Sequence, residues 1–251
     1  METQGFNQEL YLKQQMKYLG FGESEKLHKD LEKGLNSTEK QFQLKVSSEK
    51  TLLDNVVDYT LKFNKADNGR VYFNSYNAEM TNNDGNKIEH NFAVKKENNL
   101  TAKEALNLLE GRSVKTQFVN PTSNEKENVF IKLKLNDEKT EYGNFKLEYF
   151  NQNHTIDTAE ILEHSGIKID KPEFKDNIIK SLEKGNIVQA KFNIDSKEIE
   201  GKAVLNPQYN TINLYDKEMN RLNTNQPLKG LEAEIEHKNN LKNQYSISRG
   251  I

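Results

Sequence analysis

Two periods of apolar residues organise this chain. Near its start Phe6, Leu10 and the pair Met16/Leu19 fall at helical spacing, and Gly20-Phe21-Gly22 breaks the run. A second helical stretch is expected from about Glu23 to Lys33, with Leu27 and Leu31 four apart and Gly34 as a left-handed cap. The Gly-Phe-Gly break reads as a helix–helix turn with an aromatic anchor, since nothing phosphate-binding follows it.

From Gln41 the period changes to two. Phe42, Leu44 and Val46 alternate with polar residues, and so do Val57, Tyr59, Leu61 and Phe63, the pattern of strands with one buried and one wet face. Asp67-Asn68-Gly69 and Asn82-Asn83-Asp84-Gly85 predict hairpin turns on either side of a strand over Val71–Met80, and Lys87–Val94 completes an antiparallel meander. Thr101 to Glu104 forms a capping box ahead of a helix that stops at Gly111. Strands are expected over 112–119, 129–135 and 145–150. In the middle one Val129, Ile131, Leu133 and Leu135 share a face opposite Lys132 and Lys134. Asp157 opens a helix ending near Gly166, and Pro172 stands near the first turn of another ending at Gly185. Strands follow over 187–194, 199–205 and 211–215. The polar segment after about Asn223 carries Leu228, Leu231 and Ile235 as a brief helix.

Self-comparison exposes a repeat. Ala105, Leu108, Gly111, Val114 and Phe118 correspond to Ile179, Leu182, Gly185, Val188 and Phe192, each displaced by the same number of positions. Leu31, Gly34 and Phe42 begin a third, looser copy. The fold class expected is α+β, built of repeated small modules in which a short helix packs on an antiparallel meander. The expected divisions are an N-terminal helical segment over 1–38, a β-meander module over 39–100, helix-plus-strands modules over 101–166 and 167–222, and a polar tail over 223–251.

Composition changes this picture in three ways. Apolar residues are 34% of the 251 and charged residues 29%, which suits shallow one-sided sheets better than a single deep core. Thirty-six basic residues against 38 acidic ones leave a net charge of −2 without a segregated basic tract, which argues against a general polyanion binder. Cysteine is absent, so there is no disulfide framework, thiolate zinc site or cysteine nucleophile. No apolar run approaches the roughly 18–20 residues that cross a bilayer, and the N-terminal residues lack a signal-peptide pattern. A cytoplasmic protein is the expectation.

The chemistry is sparse. His28, His90, His154, His164 and His237 are scattered, and no metal site is expected. Asn82–Gly85 lacks the remaining ligands of a calcium loop. No phosphate loop, dinucleotide fingerprint or nucleophile elbow occurs, and carboxylate groups such as Glu232/Glu234/Glu236 sit in solvated runs. No cofactor is expected, and the chain reads as a binding protein rather than an enzyme. Its weak candidates are Tyr72 and Tyr76, placed by alternation on one sheet face, and Lys115, Lys132 and Lys134 on a wet face. Each has a plainer reading, as core aromatics and as solubilising edge charge.

Four phrases carry a resemblance: Tyr11-Leu-Lys-Gln-Gln-Met-Lys-Tyr-Leu-Gly-Phe-Gly22, Val71-Tyr-Phe-Asn-Ser-Tyr76, Thr101-Ala-Lys-Glu-Ala-Leu-Asn-Leu-Leu-Glu-Gly-Arg112 and Leu205-Asn-Pro-Gln-Tyr-Asn-Thr-Ile-Asn-Leu-Tyr-Asp216. In these the chain resembles the "domain of unknown function" proteins of conjugative elements in Bacteroidetes-type bacteria. The resemblance implies a mobile-element setting and no reaction. The function expected is therefore an accessory protein of a mobile genetic element, acting by macromolecular binding, with a protein partner or self-association foremost. Nucleic-acid binding through a sheet face and sequestration of a small nucleotide signal as an anti-defence function are the alternatives.

Overall fold

The computed structural model describes residues 6–119, 124–150, 156–194 and 197–222. The segment 223–251, with its expected helix, and His154 and His237 lie outside the described residues. The chain divides into two compact units, residues 1–149 and 150–251.

In the first unit, α1 (Gln8–Tyr18) and α2 (Glu25–Asn36) precede a four-stranded antiparallel sheet in chain order. Its strands are β1 (Gln41–Ser47), β2 (Val56–Lys65), β3 (Val71–Thr81) and β4 (Lys87–Ala93). Then come α3 (Ala102–Leu109) and a three-stranded sheet of β5 (Val114–Val119), β6 (Lys126–Leu133) and β7 (Leu147–Phe150). Asn7 and Ser24 cap the first two helices through their side chains, and the Thr101/Glu104 box caps the third from both sides. The hairpins at 66–70, 82–86 and 140–144 share one design. The first residue donates its N–H to the carbonyl of the fifth and accepts from the N–H of the fourth, where Gly69, Gly85 or Gly143 supplies the positive φ.

Leu12, Met16 and Leu19 of the first helical segment, Leu27 and Leu31 of α2 and the apolar face of α3 converge on Tyr59, Leu61, Phe63, Tyr76 and Phe92 of the larger sheet. The same cluster continues through Val114, Val129, Ile131 and Leu133 of the smaller one. The core of this unit is therefore continuous across residues 100 and 101. The low apolar fraction suffices because the larger sheet leaves its other face to Asp58, Asn64, Glu89 and similar residues.

Gly34 departs from the expected left-handed cap. It lies inside α2, and a Cβ there would meet the Phe42 ring at 2.3 Å, so it permits close packing of helix on strand. The end of α2 is held instead by Lys65 of β2, whose ammonium donates to the carbonyls of Leu35 (3.0 Å) and Ser37.

The second unit begins with α4 (Thr158–His164), capped by Asp157, followed by β8 (Ile167–Lys168) and α5 (Lys175–Glu183). β9 (Val188–Ile194), β10 (Lys197–Asn206) and β11 (Thr211–Tyr215) complete an antiparallel sheet of order β11-β10-β9-β8. Phe192, Leu182, Ala203 and Leu205 are among its buried residues. Gly201 lets two segments approach, since a Cβ would come within 2.1 Å of the Tyr215 carbonyl.

The ends of α3 and α5 are built alike. Gly111 (φ 76°) donates to Leu108 and Arg112 to Asn107, while Gly185 (φ 75°) donates to Leu182 and Asn186 to Ser181. Both are Schellman caps. In both, the side chain after the glycine reaches back to the helix: Arg112 to Asn107 (2.5 Å) and Asn186 to Ser181 (3.2 Å). Val114 and Val188 each begin the following strand.

Candidate interaction surface

The sequence placed Tyr72 and Tyr76 on one face, and the fold separates them. β2 and β3 shift register between Lys62 and Phe63, so that Lys62 pairs with Ser75 but Phe63 pairs with Phe73. Asn74 is the extra residue of a β-bulge, and it inverts the alternation. Tyr72 is 47% exposed, whereas Tyr76 is fully buried among Phe21, Tyr59 and Phe92. The Tyr76 hydroxyl donates to the Leu100 carbonyl at 2.7 Å, and that of Tyr59 to the Ala102 carbonyl at 2.8 Å. Burial pushes both phenols above their ordinary range, aided at Tyr59 by Glu110 and at Tyr76 by Tyr59 and Glu104. These two tyrosines anchor the start of α3 to the sheet.

The lysines fare differently. Lys115 stands opposite Phe130 in the β5–β6 ladder with its ammonium 6.0 Å from the ring centroid, and Lys132 follows on the same face of β6. Lys134, just beyond β6, pairs with Asp137 at 3.8 Å. Lys115 and Lys132 are thus brought together, and Tyr72 belongs to the other sheet. Phe130 is itself buried, so β6 is apolar on both faces over Val129–Ile131 rather than strictly alternating.

Sequence reasoning passed over a buried polar network. One carboxylate oxygen of Glu110 accepts from Thr51 and from Asn55, each at 2.8 Å, and the other pairs with Arg112 at 2.5 Å. The Glu110 and Arg112 side chains are 2% and 9% exposed. This ties the β1–β2 connection to the end of α3 and satisfies a carboxylate that would otherwise be costly to bury. Lys103 nearby is held below the ordinary lysine range, by burial first and then by Arg112, with Glu110 opposing. His90 of β4 accepts at Nδ1 from the Phe145 amide (3.2 Å), and burial, with Lys139 beside it, lowers its pKa to about 4. Both arrangements join loops to the core. Among the described residues no group of three or more His, Asp or Glu is placed to hold a metal ion, and no helix is long and apolar enough to cross a membrane.

Besides Leu52, Tyr72 and Tyr142, the exposed large apolar residues of the first unit fall into two groups. Along β5 burial falls away from Val114, fully buried, through Thr116 to Phe118, 37% exposed. Phe118 packs on Tyr149 of β7 with ring centroids 5.7 Å apart, and Val119 beside it is 44% exposed. Phe118 shares its face with Val114, and Tyr149 shares one with Leu147, which packs against the core cluster. Among the described residues the core-facing side of the small sheet therefore runs on past its helical cover and ends in a partly exposed aromatic pair. The adjacent apolar residues Phe118-Val119 were the sequence signal, since alternation should have ended in a polar residue. The second group is on the outer side of α1, where Leu10, Tyr11 and Tyr18 are half or more exposed.

No family model, curated protein or solved structure matches this chain.

Proposed function

We propose that this chain is a non-enzymatic binding component of a mobile genetic element, and that it holds another protein through the open end of its three-stranded sheet. The observation that carries the reading is the Phe118–Tyr149 pair, two partly exposed rings packed on each other at the end of the core-facing side of the small sheet. Aromatic side chains of this kind supply much of the binding energy at protein interfaces, because a partner buries large apolar area for little lost side-chain freedom.

The mobile-element setting rests on the four resembling phrases. The matching caps of α3 and α5, each running straight into a strand, support the reading of 101–166 and 167–222 as related modules.

The test is affinity capture from cells carrying such an element, comparing the natural chain with a Phe118→Ser/Tyr149→Ser variant. A protein retained by the first and lost by the second is the expected result; identical eluates would end the reading. A second reading, nucleic-acid binding, is favoured only by Lys115 and Lys132 sharing a sheet face. It requires a gel shift whose affinity falls steeply with salt and weakens in Lys115→Ala/Lys132→Ala.

A further inference from the structure

α1 is apolar on two sides. Leu12, Met16 and Leu19, all fully buried, form the stripe that faces the core. At 3.6 residues per turn, Leu10, Tyr11, Gln14 and Tyr18 form a second stripe on the opposite side. There Leu10 is 52%, Tyr11 51% and Tyr18 81% exposed. Phe6, 70% exposed, lengthens this stripe by packing on Tyr11 with centroids 5.6 Å apart. A helix that only needed to cover the sheet would present polar residues here.

We infer that this outer stripe is a self-association surface, and that two copies of the chain pair through antiparallel α1 helices. Three features select a second copy as the occupant. The first is charge. The charged residues of α1 are Glu9, Lys13 and Lys17; Glu9 pairs with Lys13 at 2.5 Å and Lys17 with Glu23 at 3.0 Å. The stripe is therefore bordered by satisfied, mutually cancelling charges and does not repel itself, as a two-fold contact requires. The second is spacing. Tyr11 and Tyr18 are seven apart with Gln14 between them, the interval of a helix–helix seam. Turned about a two-fold axis between Gln14 and Gln15, Tyr11 of one copy meets Tyr18 of the other, and the two Gln14 side chains lie on either side of the axis, close to each other. The third is area. The four exposed apolar side chains offer on the order of 500 Å² per copy, most of the roughly 800 Å² per partner of a standard interface.

The surface is also held ready. The Gln8 side chain accepts from the Val71 amide at 2.8 Å, and the Leu19 carbonyl accepts from Ala102 at 2.8 Å, so both ends of the helical segment are tied to the sheet or to α3. A rigid face loses little freedom on pairing. This inference concerns a different face from the Phe118–Tyr149 end and stands or falls separately from it.

The natural absence of cysteine makes the test direct. The full chain is expected to sediment at twice 29.1 kDa with little dependence on salt, and Tyr11→Ser/Tyr18→Ser to sediment as a monomer with an unchanged circular dichroism spectrum. Under mild oxidation Gln14→Cys should form a covalent dimer, while Lys45→Cys, on the exposed side of β1, should not. A monomeric natural chain would overturn the proposal. So would a dimer that survives the double substitution and fails to cross-link through position 14.

Discussion

The segments 105–118 and 179–192 carry the same five-residue pattern and end their helices with the same cap, yet they treat their strands differently. Phe192 is fully buried, paired with Ile199 in β10 and touched by β8 on its other side through Ile167. Phe118 is 37% exposed, paired with Glu127, and β5 lies at the edge of its sheet. The cap is decided within six residues, by a glycine that adopts positive φ and by the backbone bonds around it. Burial is decided by what lies alongside: β8 flanks Phe192, and among the described residues no strand lies beyond β5. A shared local pattern therefore fixes geometry without fixing role.

The contrast is sharpest at the two phenylalanines. Phe192→Ala should destabilise the second unit by about 3–5 kcal/mol, and Phe118→Ala should cost the first only about 1 kcal/mol, as read by urea denaturation with hydrogen exchange to assign the unit. Equal losses would mean that the two strands are covered alike. Next come the side chains after the glycines. Arg112→Ala strands Glu110 as a buried carboxylate and should cost about 3–5 kcal/mol, while Asn186→Ala removes a neutral contact worth about 1 kcal/mol.

Acid should also separate the units. His90 has an ordinary pKa of 6.5 and a folded value of about 4, so the unfolded chain takes up its proton first as the pH falls. Stability from this group is complete above pH 6.5, declines between 6.5 and 4, and changes no further below that. The loss is on the order of 3 kcal/mol at ~1.36 kcal/mol per unit. His90→Gln, which retains an acceptor for the Phe145 amide, should flatten that part of the profile for the first unit. The smallest effect tests what the segments share. Gly111→Ala and Gly185→Ala each force a Cβ into positive φ and should cost a similar ~1–2 kcal/mol, measured as shifts of the urea midpoint.

What could be read from the chain follows the same division between local and distant causes. The capping box at Thr101, the hairpins at Gly69 and Gly85 and the left-handed caps at Gly111, Gly166 and Gly185 are written in adjacent residues, and each is present. Tyr76 was misplaced because one unpaired residue, Asn74, inverts a period-two pattern without altering its composition. Gly34 was misread because its reason is the Phe42 ring across a helix–strand contact. The Glu110–Arg112 pair carries no local signal, since Thr51 and Asn55, which enclose it, lie more than fifty residues earlier. β8, two residues long, offers no period at all. The outer face of α1 was legible in principle, as a helix with apolar residues on two opposite sides.

The lysine that closes α2 bears on how the chain is made. The carbonyl of Ser37 waits for an ammonium 28 residues further along. At roughly 5–20 residues per second, a ribosome needs a few seconds to deliver Lys65 after the helix has emerged. During that interval Ser37 already caps the Gly34 carbonyl through its own N–H and hydroxyl, while the Leu35 and Ser37 carbonyls still lack the ammonium. Lys65 thus couples completion of the end of α2 to the placement of β2.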